Sequence, residues 1–332
     1  MQILVTGGGG FLGTAIVKML LAEGHTVRSI SRSHYAHLDE LAVEQIAGDL
    51  GDEAAVMKAV EGCEQVFHVA AKAGVWGSYE SYHQANVVGT ENVISACRKH
   101  KVSKLIYTSS PSVVFDGEDQ KGIDESVPYP EVFLAHYPKT KAMAESLVNQ
   151  ANSPELATVS LRPHLIWGPD DNHLVPRIVA RGRARRIKAI GDPTNLVDTV
   201  YVDNAAEAHL QAAKALTHDG PCGGKNYFIT NDEPMTMTDI INGILDAAGV
   251  APISGKVSMG LAYGVGTIME SAYRLFGISS EPAMTRFVAR QLGTAHWFDI
   301  SAAKRDFGYQ PKITIAEGLK RLKHAIESGY KV

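Results

Sequence analysis

The stretch Gln2-Ile3-Leu4-Val5-Thr6-Gly7-Gly8-Gly9-Gly10-Phe11-Leu12-Gly13 constrains this chain more than any other, because it reads as a buried strand, a glycine turn and a helix start. Gly7, Gly10 and Gly13 recur at intervals of three, while Gly8, Gly10 and Gly13 satisfy G-x-G-x-x-G. In a dinucleotide-binding turn the first glycine permits the tight bend. The second lets backbone N–H groups approach a pyrophosphate, and the third lets helix and strand pack closely. The helix N-terminus then faces the phosphate charge. A glycine loop by itself could be no more than flexible. This one follows an apolar run and precedes Thr14-Ala15-Ile16-Val17-Lys18-Met19-Leu20-Leu21, whose apolar residues keep helical spacing. Phe11 and Leu12 belong to the same nucleotide-facing turn.

Gly24-His25-Thr26-Val27-Arg28-Ser29-Ile30-Ser31-Arg32 gives a turn and a second strand, closing a βαβ unit near residue 31. An acidic residue there would hold the ribose 2′-hydroxyl of NAD, whereas an arginine accommodates the 2′-phosphate of NADP. Ser31 and Arg32 take the place, with Arg28 close by. NADP(H) is the preferred cofactor, and NAD(H) is the alternative if Arg32 simply faces water. Ile46 to Asp52 ends a third strand, followed by a helix to Val60. Asp49, beside Leu50, either accepts from the adenine amine or caps the next helix. Gln65-Val66-Phe67-His68-Val69-Ala70-Ala71 is a short strand whose terminal Ala70 and Ala71 let a ribose or ring come close to the backbone. His68 reads as core rather than catalyst. Gly74, Trp76, Gly77, Tyr79 and Tyr82 mark a loop where parallel sheets bind ligands. The alternation of short apolar strands with helices, sustained over the first 160 residues, implies an α/β fold with a doubly wound parallel sheet.

A chain of 332 residues buries a large core and suits one large or two interleaved domains. Its net charge of -4 argues against a nucleic-acid surface. The one basic cluster, Arg181, Arg183, Arg185, Arg186 and Lys188, reads as a solvated helix face or a carboxylate holder. Cys63, Cys97 and Cys222 show no metal spacing and cannot all pair, which points to a reduced, cytoplasmic protein with no metal site. A first strand beginning at residue 2 leaves no room for a signal peptide.

Tyr137-Pro138-Lys139-Thr140-Lys141 puts a phenol and an ammonium four residues apart, on one helix face. A neighbouring ammonium favours the phenolate and lowers its pKa, so the pair suits proton transfer near neutral pH. Pro138 places the pair in the first turn of its helix. A solvated helix pair would show the same spacing.

The order of Thr6 to Gly13, Asp49-Leu50, Asn86, Tyr107-Thr-Ser-Ser110 with Val113 to Gly117, Tyr137-x-x-x-Lys141, Leu161-Arg-Pro163, Trp167-Gly-Pro169 and Val202-Asp203 resembles the extended short-chain dehydrogenase/reductases over almost the whole chain. Within them, Tyr107 to Gly117 is similar to the 3β-hydroxysteroid dehydrogenase branch and to the ketoreductases of bacterial long-chain olefin biosynthesis. The resemblance implies that Tyr137 is the general acid/base, that Lys141 holds the nicotinamide ribose and depresses the tyrosine pKa, and that Ser110 hydrogen-bonds the substrate oxygen. Ser109 and Ser112 are adjacent candidates for the last role. Asn86 would anchor a water relay to Lys141, and Pro163 would border the cofactor. Two departures, proline after Tyr137 and no acid at the end of the second strand, disfavour an NAD-type steroid enzyme.

The same resemblance implies a Rossmann-type dinucleotide-binding domain over 1–164 plus about 196–224, and a small substrate-binding domain over about 165–195 and 225–332. Ser258 to Gly277 is largely apolar but carries Glu270 and Arg274, so it reads as a helix covering the site or touching a membrane surface rather than spanning one. Gly260 to Met269, Ala272-Tyr273 and Leu275-Phe276 are expected to wall an apolar substrate groove. The expected activity is NADP(H)-dependent interconversion of a ketone and a secondary alcohol on a bulky lipid-like substrate, a long-chain 3-oxo acid alkylated at carbon 2. The alternative is an NAD-dependent 3β-hydroxysteroid or sterol-4-carboxylate dehydrogenase. A catalytically silent dinucleotide sensor is a further class, which has no need of Tyr137 and Lys141. The expected partners are a second copy in a homodimer, and enzymes of the same pathway or a membrane surface.

Overall fold

A computed structural model describes residues 1–332. The chain opens with β1 (Gln2–Thr6), α1 (Phe11–Ala22), β2 (Thr26–Ser31), β3 (Glu44–Ala47), β4 (Gln65–His68) and β5 (Lys104–Thr108). With the later strands Ala157–Pro163 and Lys225–Ile229 they form one seven-stranded sheet, ordered Lys225–Ile229, Ala157–Pro163, β5, β4, β1, β2, β3. Every pairing is parallel. The strands read as continuous apolar runs because both faces are covered: Ile3, Val5, Phe67 and Ile106 enter one core, while Leu4, Val66 and Leu105 enter another.

From β1 the chain winds outward through β2 and β3, then returns to β4 on the other side of β1. That reversal opens a crevice at the carboxyl ends of β1 and β4, where such sheets take ligands. The expected Rossmann-type sheet is therefore present, with one shift of boundary. Lys225–Ile229 is its outermost strand, paired along its whole length with Ala157–Pro163, so the sheet extends past the 196–224 return. Tyr227, Phe228 and Ile229 are buried there, which is what holds the extra strand in place.

A third core lies beneath the helices Leu174–Arg183, Met237–Ala247 and Ile315–Glu327, built around Trp167, Ile178, Ile244 and Leu322. A four-stranded sheet joins Gln120–Ile123, Leu196–Val197, Met235–Thr236 and His296–Phe298. The apolar run forms the helix Met259–Leu275, whose first turn is capped by Ser258 accepting from Leu261 N. No helix is long and apolar enough to cross a membrane. One expectation fails here: Leu261, Val265, Ile268, Leu275 and Phe276 face outward and are exposed, so this helix does not wall the cavity with its apolar side. Helical spacing shows that a stripe exists but does not say which way it turns.

Candidate active site

The glycine turn is shaped by contacts that leave no space for side chains. Gly7 adopts φ +68°. A Cβ on Gly13 would lie 2.1 Å from the Gly7 carbonyl oxygen, and one on Gly9 would lie 2.2 Å from the Tyr35 ring. Gly7 itself abuts Ala70, where a Cβ would come within 3.0 Å of the Ala70 Cβ. Thr6 ties the turn to β4, because its hydroxyl oxygen accepts from the backbone N–H groups of Val69 and Ala70 at 3.0 and 3.1 Å. Gly10 begins α1 without a side-chain cap, and the first turn carries no acid. The leading N–H groups of α1 are thus left for an anion, in a dipole field that favours one.

A cavity of about 720 Å³ runs from this turn along the carboxyl ends of the strands. It is lined by every residue expected to hold the cofactor: Gly7, Gly10, Phe11, Leu12, Gly13, Arg32, Asp49, Leu50, Ala70, Ala71, Tyr137, Lys141 and Pro163. Of the two arginines near the end of β2, only Arg32 reaches it. Arg28 is drawn back by Glu44 at 2.7 Å and by the carbonyl oxygens of Ala59 and Glu61. Arg32 is exposed. Asp49 closes a local turn by accepting from Gly51 N at 2.9 Å, while Asp52 caps the following helix. The cradle of close backbone approaches, the uncapped helix N-terminus and the arginine beside it fit a nicotinamide dinucleotide.

Ser110, Tyr137 and Lys141 line the same cavity beyond the turn. Ser110 lies two residues past β5 and caps the short helix Pro111–Val114 by accepting from Ser112 N, with its hydroxyl 2.9 Å from that of Ser112. Ser109 is buried with its N–H bonded to the Leu161 carbonyl, and its hydroxyl has no partner. Tyr137 is the second residue of the helix His136–Gln150, in the first turn as expected, and Lys141 lies one turn on. Burial raises the Tyr137 phenol above its ordinary value, and the Ser110 hydroxyl works against that rise.

The expected lowering of this phenol by Lys141 is not what the structure shows. The buried Lys141 ammonium donates to the Thr108 carbonyl oxygen at 2.6 Å and stands 4.1 Å over the Tyr107 ring. Burial pushes its own pKa down to about 7, with Glu145 one turn further opposing the fall. Asn86, expected to anchor a water relay to Lys141, is buried behind the cavity wall. Its amide clamps the backbone of Lys72, accepting from Lys72 N at 2.7 Å and donating to Lys72 O at 3.1 Å, and also donates to the Thr140 hydroxyl. It sits in a single π-helical turn, Gln84–Val88, and reaches Lys141 only through its neighbour Thr140. His68 is core, as read: its ring nitrogens lie 2.8 Å from the Thr6 hydroxyl and 2.9 Å from that of Thr90.

The substrate end of the cavity adds Lys72, His164, His173, Phe287 and Gln291. Sequence reading missed them because they come from loops and a distant helix that share no spacing with the motifs. Tyr35 was missed for the same reason, although its ring covers Gly9. Only His164 carried a signal, by following Pro163 at the end of a sheet strand.

The sequence profile of the 3-beta hydroxysteroid dehydrogenase/isomerase family matches residues 4–257. A protein of Shewanella oneidensis named 2-alkyl-3-oxoalkanoate reductase is 52% identical over 330 residues, covering 97% of this chain and 85% of that one. One of the same name from Stenotrophomonas maltophilia is 52% identical over 326 residues, covering 97% and 98%. Among solved structures, UDP-glucuronic acid 4-epimerase of Bacillus cereus in complex with NAD superposes with a TM-score of 0.75 at 23% identity, covering 100% of both chains. At that identity the likeness concerns the fold.

Proposed function

This chain belongs to the 3-beta hydroxysteroid dehydrogenase/isomerase family, and on that premise we propose that it is an NADP(H)-dependent reductase of long-chain 2-alkyl-3-oxoalkanoic acids, producing the 2-alkyl-3-hydroxy acids. That it is an oxidoreductase follows from the family and from the reductases it resembles. The observation that carries the narrower reading is the 52% identity to two enzymes of that name across 97% of the chain.

Gly10, Phe11, Leu12 and Gly13 would hold the pyrophosphate on backbone N–H groups, Arg32 the ribose 2′-phosphate, Asp49 and Leu50 the adenine end, and Ala70, Ala71 and Pro163 the nicotinamide half. When bound, the cofactor supplies the hydride. Tyr137 donates the proton to the carbonyl oxygen, and its raised pKa keeps it loaded for that direction at neutral pH. Ser110 directs a second hydroxyl at the same oxygen, so charge developing there meets two donors. Lys141 fixes the nicotinamide ribose, and Asn86 acts by holding the Lys72 loop against the helix that carries both. Residues 165–195 and those after Ile229 shape the substrate side, and the working unit is a homodimer in the cytoplasm.

The test is NADPH oxidation with 3-oxo acids of increasing chain length and, in the reverse direction, NADP+ or NAD+ reduction with the matching 3-hydroxy acids beside a 3β-hydroxysterol-4-carboxylate, with a UDP-sugar followed by product analysis. Each buried methylene contributes about 0.8 kcal/mol, so kcat/KM should climb steeply until the site is full. Absence of chain-length dependence, or faster turnover of either competitor, overturns the assignment.

A further inference from the structure

The helix Met259–Leu275 is built inside out. Its inward face is the narrow row Ala262, Gly266 and Glu270, the only residues of the helix that are buried. Gly266 presses on backbone: a Cβ there would lie 2.7 Å from the Thr285 carbonyl carbon. Glu270, only 5% exposed, accepts from Arg286 N at 2.7 Å and pairs with the Arg286 guanidinium at 2.9 Å. The outward face carries an apolar stripe, with exposed Thr267, Ser271 and Arg274 along one side of it. Leu261 is 61% exposed, Ile268 71%, Leu275 79% and Phe276 72%, with Val265 between them. An amphipathic helix of a water-surrounded protein does the reverse, and a continuous exposed apolar stripe marks a surface that something covers.

The charge around the stripe identifies what covers it. From residue 172 to residue 191 the chain carries Arg177, Arg181, Arg183, Arg185, Arg186 and Lys188 and no acid. This segment borders the apolar helix at both ends: Ala189–Ile190 pairs with Lys256–Val257 just before it, and Arg181 donates to the Ala283 carbonyl oxygen just after it. Arg185, Arg186 and Lys188 are exposed and meet no acidic partner. A symmetric contact between two copies would bring these like-charged segments together. An anionic surface with an apolar interior suits both features, and a helix of 17 residues that is too short to cross a membrane can lie in its plane.

We infer that the outer face of Met259–Leu275, with Phe276 and Ile278, seats on an anionic lipid bilayer while the flanking arginines and lysines meet the headgroups. Trp76 donates its indole N–H to the Ile278 carbonyl oxygen at 3.1 Å, and the adjoining Gly74 and Val75 line the cavity. The seat therefore brings the substrate end of the cavity beside the lipid. The inference stands on this surface alone and does not require the substrate proposed above.

The test is co-sedimentation of the full chain with vesicles of phosphatidylglycerol and phosphatidylethanolamine, beside vesicles of phosphatidylcholine. The chain should partition to the anionic vesicles. The double variant Leu261→Glu/Ile268→Glu should lower that partition at least about tenfold. Arg186→Glu/Lys188→Glu should weaken it chiefly at low salt, where headgroup attraction is least screened. Unchanged melting and unchanged NADPH oxidation with a short soluble ketone show that the variants are folded. Failure to sediment with anionic vesicles, or undiminished binding by the apolar-face variant, overturns the inference. If the native chain then forms a larger particle that Ile268→Glu breaks, the face belongs to a second copy.

Discussion

Glu145 and Arg162 form an ion pair inside the protein, at 0% and 1% exposure, and its removal should be felt both in stability and at Lys141. The Arg162 Nε and Nη2 donate to the two carboxylate oxygens at 2.9 and 2.6 Å, and Tyr129 OH donates to one of them at 2.7 Å. Glu145→Ala strands a buried guanidinium, and removing one partner of such a pair costs about 3–5 kcal/mol. The pair is not fully satisfied, since Arg162 Nη1 has no partner. Replacing both residues by apolar ones of similar volume, Glu145→Leu with Arg162→Met, should therefore cost much less than either single change, because it removes both desolvated charges. Urea unfolding followed by circular dichroism measures each value, provided the slope with urea stays constant. Glu145 is also the neighbour that holds up the Lys141 pKa, so its loss should move the Lys141 midpoint below about 7 in the pH profile of kcat/KM. A Glu145→Ala cost under about 1 kcal/mol, or a double variant as unstable as the sum of the singles, would refute this account.

Tyr137→Phe removes only the transferable proton, so turnover should fall by about 10²–10⁴ while NADPH binding measured by fluorescence is retained; more than about a tenth of the native rate sinks the assignment. Arg32→Asp should lower the NADPH-to-NADH ratio of kcat/KM by at least about tenfold, with no change in melting since Arg32 is exposed. Equal ratios in native and variant chains would remove Arg32 from the 2′-phosphate. Gly13→Ala forces a methyl to 2.1 Å from the Gly7 carbonyl and should weaken NADPH by more than about tenfold; normal affinity contradicts the cradle. Burial raises the Asp198 carboxyl from 3.8 to about 7. A carboxyl raised on folding contributes stability that is present below about pH 4 and lost as pH rises through about 7. Asp198→Asn can keep the bond from Phe298 N, so it should raise the urea midpoint at pH 8 more than at pH 5; the opposite order would be decisive against it.

The sheet was legible because parallel strands announce themselves locally: β1, β4 and β5 are apolar runs bounded by turns, and the glycine turn can be read within a dozen residues. Lys225–Ile229 was assigned to the wrong part because nothing local distinguishes an edge strand of the main sheet from a strand of the smaller one. Only its pairing with Ala157–Pro163, some 65 residues earlier, decides that. The cofactor end of the cavity was legible for the same local reason, whereas Phe287, Gln291 and His173 at the other end depend on how distant helices pack. The outward turn of Leu261, Ile268 and Leu275 depends on packing too, set by Gly266 against Thr285 and by Glu270 against Arg286.

The Tyr137–Lys141 pair shows where local reasoning stops. Four-residue spacing correctly puts both groups on one side of a helix, but it does not say which acceptor the ammonium finds. Here that acceptor is the Thr108 carbonyl at the end of β5, while burial raises the phenol and lowers the ammonium. The raised phenol acts in opposite senses on the two directions of the reaction. Reduction needs a protonated phenol, which a raised pKa guarantees across the neutral range, whereas oxidation of the alcohol needs the phenolate and so must wait for higher pH. The oxidative kcat/KM should accordingly rise as pH is raised from about 7 toward the ordinary tyrosine value of about 10, and Tyr137→Phe should remove that rise. An oxidative kcat/KM independent of pH over that interval would mean that some group other than Tyr137 carries the proton.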